Sequence, residues 1–413
     1  MKILHFADAH IDTANYGRHD PLTGLPVRVM DFLKSVDTIV ETAIAEKVDL
    51  VIFSGDAFKD RTPLPTFQRE WASRIMRLSV AGIPTILLVG NHDLSPSIGR
   101  ANTLENFDTF QVPNVFVVSK PRLLTPADLG VDMQVLAVPW VNRSTFFAAN
   151  DIQLDAGVIS DDIEAKLEAL IDRLMDGIDP AIPIILTAHA SVQGAMQSTG
   201  CSVVLGNELV LPQGLVRNPR FDYVALGHIH KGQDLNENAQ PPVIYPGSIE
   251  RVDFGEANDE KYFIIADVQK SNTVVNWRKL NTRKFVDCHI RLEKPEDITA
   301  QIEKELGDPK ALKDAMVRLV IEYPTEMDTL IDDRAIRAFT EEALEFSLIK
   351  RPIVATRVRL PDGKTAESLN PGELLGIYFD AFHIDTSPEL LDLANNFMEA
   401  GLQDQPLSIS TEI

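Results

Sequence analysis

The chain has 413 residues, enough for two or three domains with a large core, and its two cysteines, Cys201 and Cys288, stand at no metal-type spacing and fit a reducing compartment. A formal net charge of -22 argues against a general nucleic-acid binder with a broad basic footprint, while leaving room for a metal site or a small basic patch on an acidic body. The first residues run straight into an apolar strand pattern with no basic stretch ahead of a long apolar one, so neither a signal peptide nor a membrane span is expected, and cytoplasm is the expected location.

In chain order, the apolar run Ile3 to Ala7 reads as a buried strand that ends at Asp8-Ala9-His10. A long polar loop from Asp12 leads to Pro26, which opens a helix with Val29, Phe32, Leu33, Val36, Ile39, Val40 and Ala43 on one face. The strand Leu50–Phe53 ends at Gly55-Asp56. A helix follows with Trp71, Ile75 and Leu78 on one face, and Gly82 and Pro84 stop it. Pro84 to Val89 is the next strand, closed by Gly90-Asn91-His92-Asp93, and Leu104, Phe107 and Phe110 mark a short helix.

Val115 to Val118 and Met133 to Val138 read as strands, and Val158 to Leu174 as an acidic amphipathic helix. The strand Ile182 to Thr187 leads to His189, and Tyr223 to Leu226 leads to Gly227-His228-Ile229-His230. Val243 to Tyr245, Tyr262 to Val268 and Thr273 to Trp277 complete the strands, a pattern that suggests two sheets packed face to face with helices outside.

Near Asn281 the texture changes. A second unit over 285–360 reads as strand (Val286 to Leu292), helix (Asp297 to Leu306), strand (Met316 to Glu322), helix (Asp332 to Phe346) and strand (Ile353 to Leu360). After a linker, Pro361 to Lys364, an acidic tail over 365–413 without Lys or Arg carries two apolar helical patterns, Leu374 to Phe382 and Leu390 to Phe397. These faces either pack on their own domain or dock in a partner's groove.

Five of the strands end in residues that bind metals. Asp8, His10, Asp56, Asn91, His189, His228 and His230 supply carboxylate, carboxamide and imidazole donors, a mixture that suits manganese, iron or zinc rather than calcium. A pair of divalent ions can clamp the attacking and leaving oxygens of a phosphoryl transfer, and needs a bridging carboxylate. Asp-x-His and His-x-His put both side chains of each pair on one side of an extended segment. His92 directly follows the Asn donor, so its side chain is expected to face substrate as a general acid or phosphoryl donor, with Asp93 holding its ring. His5, His19, His289 and His383 lack clustered partners and read as structural.

Taken in order, Asp8-x-His10, Gly55-Asp56, Gly90-Asn91-His92-Asp93, His189 and Gly227-His228-x-His230 resemble the motifs of calcineurin-like metallophosphoesterases over roughly residues 1–280. The segment Tyr245-Pro246-Gly247-Ser248-Ile249-Glu250-Arg251-Val252-Asp253-Phe254-Gly255-Glu256 is similar to the SbcD nucleases, the bacterial counterparts of the Mre-eleven subunit. The resemblance implies an α/β fold: a two-sheet αββα sandwich over 1–280, a smaller α+β capping domain over 285–360 and a helical C-terminal tail over 365–413 that binds an SMC-like coiled-coil ATPase.

It also implies that Asp8, His10, Asp56 and His230 hold one ion, and Asp56, Asn91, His189 and His228 a second, with Asp56 bridging. The implied activity is manganese-dependent 3′-to-5′ exonuclease action on duplex DNA and endonuclease action on single strands or hairpins, in double-strand break repair. The implied assembly is a homodimer joined through helices in Phe67 to Leu78 and Leu104 to Phe110, nucleoid-associated in a bacterium. Two departures stand out: many relatives have Ser-Asp-x-His-Leu-Gly where this chain has Ala7-Asp8-Ala9-His10-Ile11-Asp12, and Lys59 stands where some carry a histidine linked to exonuclease action.

The candidate phosphate contacts are Lys59, Arg61, Arg69 and Arg74, with Arg351, Arg357 and Arg359 in the second unit. On so acidic a chain, tight DNA binding would come mostly from the partner. Two other readings stay open: a phosphoesterase of this fold acting on small nucleotides or phosphoproteins, and a non-catalytic dimeric scaffold for the ATPase.

Overall fold

The computed structural model describes residues 1–15, 18–95, 100–141, 163–198, 210–353 and 369–381. The chain divides into two compact units. The first comprises Met1–Asp287 together with Lys310–Arg318 and Glu342–Phe346, and the second comprises Cys288–Pro309, Leu319–Glu341 and Ser347 onward.

In chain order the strands of residues 1–280 are β1 (Lys2–Phe6), β2 (Leu50–Phe53), β3 (Thr85–Leu88), β4 (Val115–Val118), β5 (Arg122–Leu124), β6 (Gln134–Val138), β7 (Ile184–His189), β8 (Ser191–Val192), β9 (Val210–Leu211), β10 (Tyr223–Gly227), β11 (Gln233–Asp234), β12 (Val243–Tyr245), β13 (Tyr262–Asp267) and β14 (Val274–Lys279). One six-stranded sheet has the order β14-β13-β1-β2-β3-β4, and the other the order β11-β12-β10-β7-β6-β5. Strands β1 to β4 run parallel, as do β6, β7, β10 and β12, whereas β13, β14, β5 and β11 pair antiparallel.

The parallel strands are rich in apolar residues on both sides because both of their faces are covered. Alternate residues of the two sheets meet in one core: Ile3, Leu50, Ile52 and Ile86 from one, Val135, Ile185, Ala225 and Ile244 from the other. The opposite face of the first sheet, with Leu4, Phe6, Val51 and Phe53, packs on helices α1 (Val27–Ala45) and α2 (Pro65–Val80) through Phe32, Val36, Trp71 and Ile75. The outer face of the second sheet takes Leu170, Ile171 and Met175 of the helix Ile163–Met175. Helix, sheet, sheet, helix is the expected four-layer sandwich. Truncating the fully buried Trp71 to alanine would cost about 3–5 kcal/mol.

Further along come the strands β15 (Phe285–Arg291), β16 (Met316–Pro324) and β17 (Glu345–Ile353), hydrogen-bonded in that order, and the helices Ile298–Leu306 and Asp333–Phe339. The helix expected over Asp332 to Phe346 stops at Phe339 and a strand runs over Glu345–Ile353, while residues 354–360 of the strand expected at Ile353 to Leu360 lie outside the described residues. The apolar residues Leu344, Phe346, Leu348 and Ile349 fit either period, and the hydrogen bonds along β16 decide for the strand.

The helix Pro371–Ala381 carries most of the first tail pattern. Its start is closed reciprocally, with Asn370 N–H donating to the Glu373 carboxylate and Glu373 N–H to the Asn370 side-chain oxygen. Phe382, the second tail pattern, the 361–364 linker, His383, Arg357, Arg359 and Cys201 lie outside the described residues. Among the described residues no helix is long and apolar enough to cross a membrane.

Candidate metal centre

All five motifs sit at the carboxyl ends of parallel strands, three in one sheet and two in the other, the edge at which such sheets present chemistry. The β1–β2 register, with Phe6 opposite Phe53, brings the first two motif loops side by side. Asp8 N–H then donates to Gly55 O at 2.9 Å and Ala9 N–H to Asp56 O at 2.8 Å. Asp8, His10, Asp56 and His228 all adopt positive φ (51°, 39°, 64° and 101°), strain that clusters at functional sites and that the surrounding bonds must hold. Glycine is required beside them: a Cβ on Gly90 would lie 2.1 Å from Asp56 Oδ1, and one on Gly227 2.1 Å from the Ser54 carbonyl.

The donors fall into two groups, Asp8, His10 and His230 in one and Asp56, His189 and His228 in the other, each with its ligand atoms within 4.8 Å of one another. Asn91 joins the second: its Oδ1 lies 3.0 Å from His189 Nε2 and 3.1 Å from His228 Nδ1. Asp56 reaches both, with Oδ2 3.3 Å from His189 Nε2 and 3.9 Å from His10 Nε2. Asp8 faces the second group as well, its carboxylate accepting the His228 N–H at 3.1 Å.

Hydrogen-bond partners set the ring tautomers. Nδ1 of His10 donates to the Phe58 carbonyl at 3.2 Å, Nδ1 of His189 to the Ser54 carbonyl at 2.7 Å, and Nδ1 of His230 to Glu256 Oε1 at 2.7 Å. Each Nε2 is left as a lone pair pointing into the site. His10 Nε2 then meets His230 Nε2 at 3.1 Å, and His189 Nε2 meets the oxygens of Asn91 and Asp56. Acceptors converging on acceptors in a buried space need a cation or a proton between them, so the donor set fits divalent metal ions.

Without metal, protons answer the same demand. Burial opposes charge on His189, but Asp56 outweighs it and raises this imidazole to about 9. Burial and the neighbouring His230 push His10 down to about 3, while burial raises Asp8. Asp56 is held below the usual carboxylate range: burial works against ionisation, and His189, His10 and His92 overcome it.

His92 lies beside the cluster, its ring edge-on to His10 at 5.2 Å between centroids. Its Nδ1 donates to the Lys59 carbonyl at 2.7 Å, and its backbone N–H to Asp56 Oδ1 at 2.8 Å. Asp93 does not hold the His92 ring, which corrects the role expected from the sequence. Its buried carboxylate instead accepts the N–H groups of Asp56, Ala57 and Gly90 at 2.9, 3.0 and 2.9 Å, and the Thr103 hydroxyl at 3.2 Å. Three orphan amides of two tight turns outcompete the imidazole, so Asp93 ties the second motif loop to the third.

Lys59 and Arg61 line, with Asp12, Asn15, Thr62 and His92, a cleft of about 630 Å³. Arg69 pairs with Glu70 at 2.7 Å, and Arg74 with Asp37 at 2.8 Å. Arg351 lies 3.7 Å from Glu322. The buried His5 bonds through Nδ1 to Tyr223 Oη at 2.9 Å, outside the site.

Three contributors were not singled out from the sequence. Glu256 orients His230 and is itself held by the buried Lys261, whose Nζ donates to Glu256 Oε2 at 2.6 Å, Ser248 Oγ at 2.8 Å and His230 O at 3.1 Å. Trp140 lays its ring against His228 at 4.9 Å between centroids. Glu256 closes the Tyr245-to-Glu256 segment, so a signal existed; Lys261 and Trp140 follow ordinary strand patterns and carry none.

Comparison with known proteins agrees with this geometry. The calcineurin-like phosphoesterase family matches residues 1–232. The chain is 26% identical over 365 residues to the SbcD component of the SbcCD nuclease of Escherichia coli (strain K12), covering 85% of each protein. It is 25% identical over 338 residues to the DNA double-strand break repair protein Mre11 of Archaeoglobus fulgidus, covering 74% of this chain and 65% of that one. It is 23% identical over 363 residues to the metallophosphoesterase YhaO of Bacillus subtilis (strain 168), covering 84% and 78%. With two convergent ligand groups and more than half of its length matched, the chain belongs to the calcineurin-like phosphoesterase family.

Proposed function

We propose that this chain is a two-metal phosphodiesterase acting on DNA, a 3′-to-5′ exonuclease on duplex ends and an endonuclease on single strands or hairpins, serving as the nuclease subunit of an SMC-like ATPase complex in double-strand break repair. The observation that carries the reading is the pair of three-residue ligand groups with Asp56 reaching both and His92 beside them. The DNA substrate is supported by a relative named as a nuclease subunit, whose likeness runs through 85% of this chain, and by one named as a DNA double-strand break repair protein, whose likeness runs through 74%, both beyond the phosphoesterase match.

Divalent ions, manganese first among them, would supply Lewis acidity at this site when bound. The protein's own residues do the rest. Asp8, His10 and His230 would hold one ion and Asp56, Asn91, His189 and His228 the other, with Asp56 reaching both. His92, with Nδ1–H committed to Lys59 O, presents Nε2 to substrate; protonated there, it donates to the leaving or phosphoryl oxygen. Lys59 and Arg61, in the cleft beside His92, neutralise a flanking phosphate. With a net charge of -22, the chain relies on its ATPase partner and on dimerisation for most DNA affinity, and works in the cytoplasm.

The test is a manganese-dependent assay on linear duplex, hairpin and single-stranded DNA, with His92→Ala as control. Degradation of DNA by the wild type and a large loss in the variant is the expected outcome. Hydrolysis of a small phosphodiester without action on any of the three DNAs refutes the nuclease reading.

A further inference from the structure

The carboxylate of Asp12 grips two consecutive amides: Oδ1 accepts the Lys59 N–H at 2.5 Å, and Oδ2 the Asp60 N–H at 3.0 Å. The second of these belongs to the peptide plane between Lys59 and Asp60. The carbonyl of that same plane is Lys59 O, which accepts the His92 Nδ1–H at 2.7 Å. One peptide is thus held from both sides, its N–H by Asp12 and its C=O by His92. Rotating the plane would break both bonds at once.

A carboxylate on the N–H also polarises the amide, which makes the carbonyl a stronger acceptor for the imidazole. The neighbouring Phe58–Lys59 plane is held in the same way, its N–H by Asp12 Oδ1 and its carbonyl by His10 Nδ1 at 3.2 Å, while Asp60 spends its own carboxylate on Thr62, at 3.0 Å to the amide and 3.1 Å to the hydroxyl. Lys59, Asp60, Arg61 and Thr62 otherwise face the cleft they share with His92.

We infer that Asp12 is a positioning residue for His92, acting through the Lys59–Asp60 peptide by fixing the carbonyl that sets the tautomer and direction of the His92 ring. This rests on the role given to His92 above. Asp12 touches no donor atom of the ligand groups, so its effect should fall first on turnover; because its bond to the Lys59 N–H also braces the Phe58 carbonyl that accepts His10 Nδ1–H at 3.2 Å, metal affinity is measured beside it.

A double-mutant cycle on the full chain tests it, with the dinucleotide thymidylyl-thymidine and manganese as probe, because its alkoxide leaving group needs the proton that His92 supplies. Asp12→Ala should lower kcat roughly tenfold with KM unchanged, since a loosened catalytic group loses part of the hundredfold or more that general acid catalysis supplies. Asp12→Asn, which keeps one acceptor, should recover part of the loss. In a His92→Ala background, Asp12→Ala should change kcat less than about twofold, because the group it positions is gone. Each variant is assayed at manganese concentrations that calorimetry shows to be saturating for it, so that any loosening of His10 through the Phe58 carbonyl does not enter kcat.

Equal losses in both backgrounds, or a weakened metal affinity large enough to explain the loss, overturn the inference while leaving His92 in its role. Full activity of His92→Ala itself overturns the role of His92, and this inference with it.

Discussion

His10 and His230 face each other through their Nε2 atoms at 3.1 Å, and each has its Nδ1 proton committed to another partner, the Phe58 carbonyl for one and Glu256 for the other. As neutral rings neither can donate to the other without giving up that bond, so a proton on one of them or a metal ion between them must meet the demand. The arrangement is therefore a stored demand for a cation, and it makes the fold's stability dependent on metal.

Manganese should stabilise the folded chain and a chelator should not. Ligand linkage gives about 2.7 kcal/mol at a free metal concentration 100 times its dissociation constant. Thermal unfolding by calorimetry, with and without manganese, measures it. A His10→Ala variant should lose a large share of the gain, and equal midpoints in chelator and in metal would contradict the assignment.

The metal-free chain should weaken as pH rises through the neutral range. His189 is fully buried and its folded-state value is raised from 6.5 to about 9 by Asp56 against the opposing effect of burial. A raised value means that the charged form is stabilised by folding. The contribution is complete below pH 6.5 and is lost between there and about 9, at up to about 1.4 kcal/mol per pH unit. Metal binding requires the deprotonated ring, so manganese affinity should rise over the same window. Urea titrations in chelator at several pH values check the slope, which His189→Asn should flatten.

Glu256→Gln should weaken metal binding at the Asp8, His10 and His230 group by about 10–100-fold and leave the second group nearly unaffected. The other two Nδ1-bonded rings, His10 and His189, rely on backbone carbonyls; only His230 has an ionised partner, held below the usual carboxylate range because His230 and Lys261 outweigh its burial. Two-site calorimetric titration reads the split, and uniform weakening of both sites would refute it.

Gly227→Ala should destabilise the protein by about 1–3 kcal/mol or more and disturb both ligand groups, because the new Cβ would sit 2.1 Å from the Ser54 carbonyl, a backbone atom that cannot swing aside. Gly130→Ala is the contrast: nothing lies within 4 Å, and the cost there comes only from its φ of +72°. Denaturant midpoints of the two variants should differ in that order.

The two sheets and their outer helices were legible in the sequence because both signals are local. A four-residue apolar run such as Leu50–Phe53, too short for a helix, reads as a strand covered on both sides, and the spacing of Phe32, Val36, Ile39 and Val40 reads as a helix face. The ligand residues were legible for a related reason: histidines and aspartates placed at the ends of buried strands are costly unless they bind something. The segment from Asp332 to Ile353 was misread because its apolar residues satisfy either period, and strand pairing, a non-local term, decided between them.

The amino-acid sequence by itself therefore determined which residue types reach the site and from which strands. The tertiary structure alone decided what each atom does there. Asp93 turns from the neighbouring His92 ring to amides 36 and 37 residues away, Glu256 closes on His230 across 26 residues, and Asp12 reaches the 59–60 peptide across 47 and 48. Which ring nitrogen carries the proton, and so which lone pair faces the metal, depends on partners brought together only by folding. Hydrogen bonds act over about 3 Å of space, and sequence separation carries no information about which groups will meet at that distance.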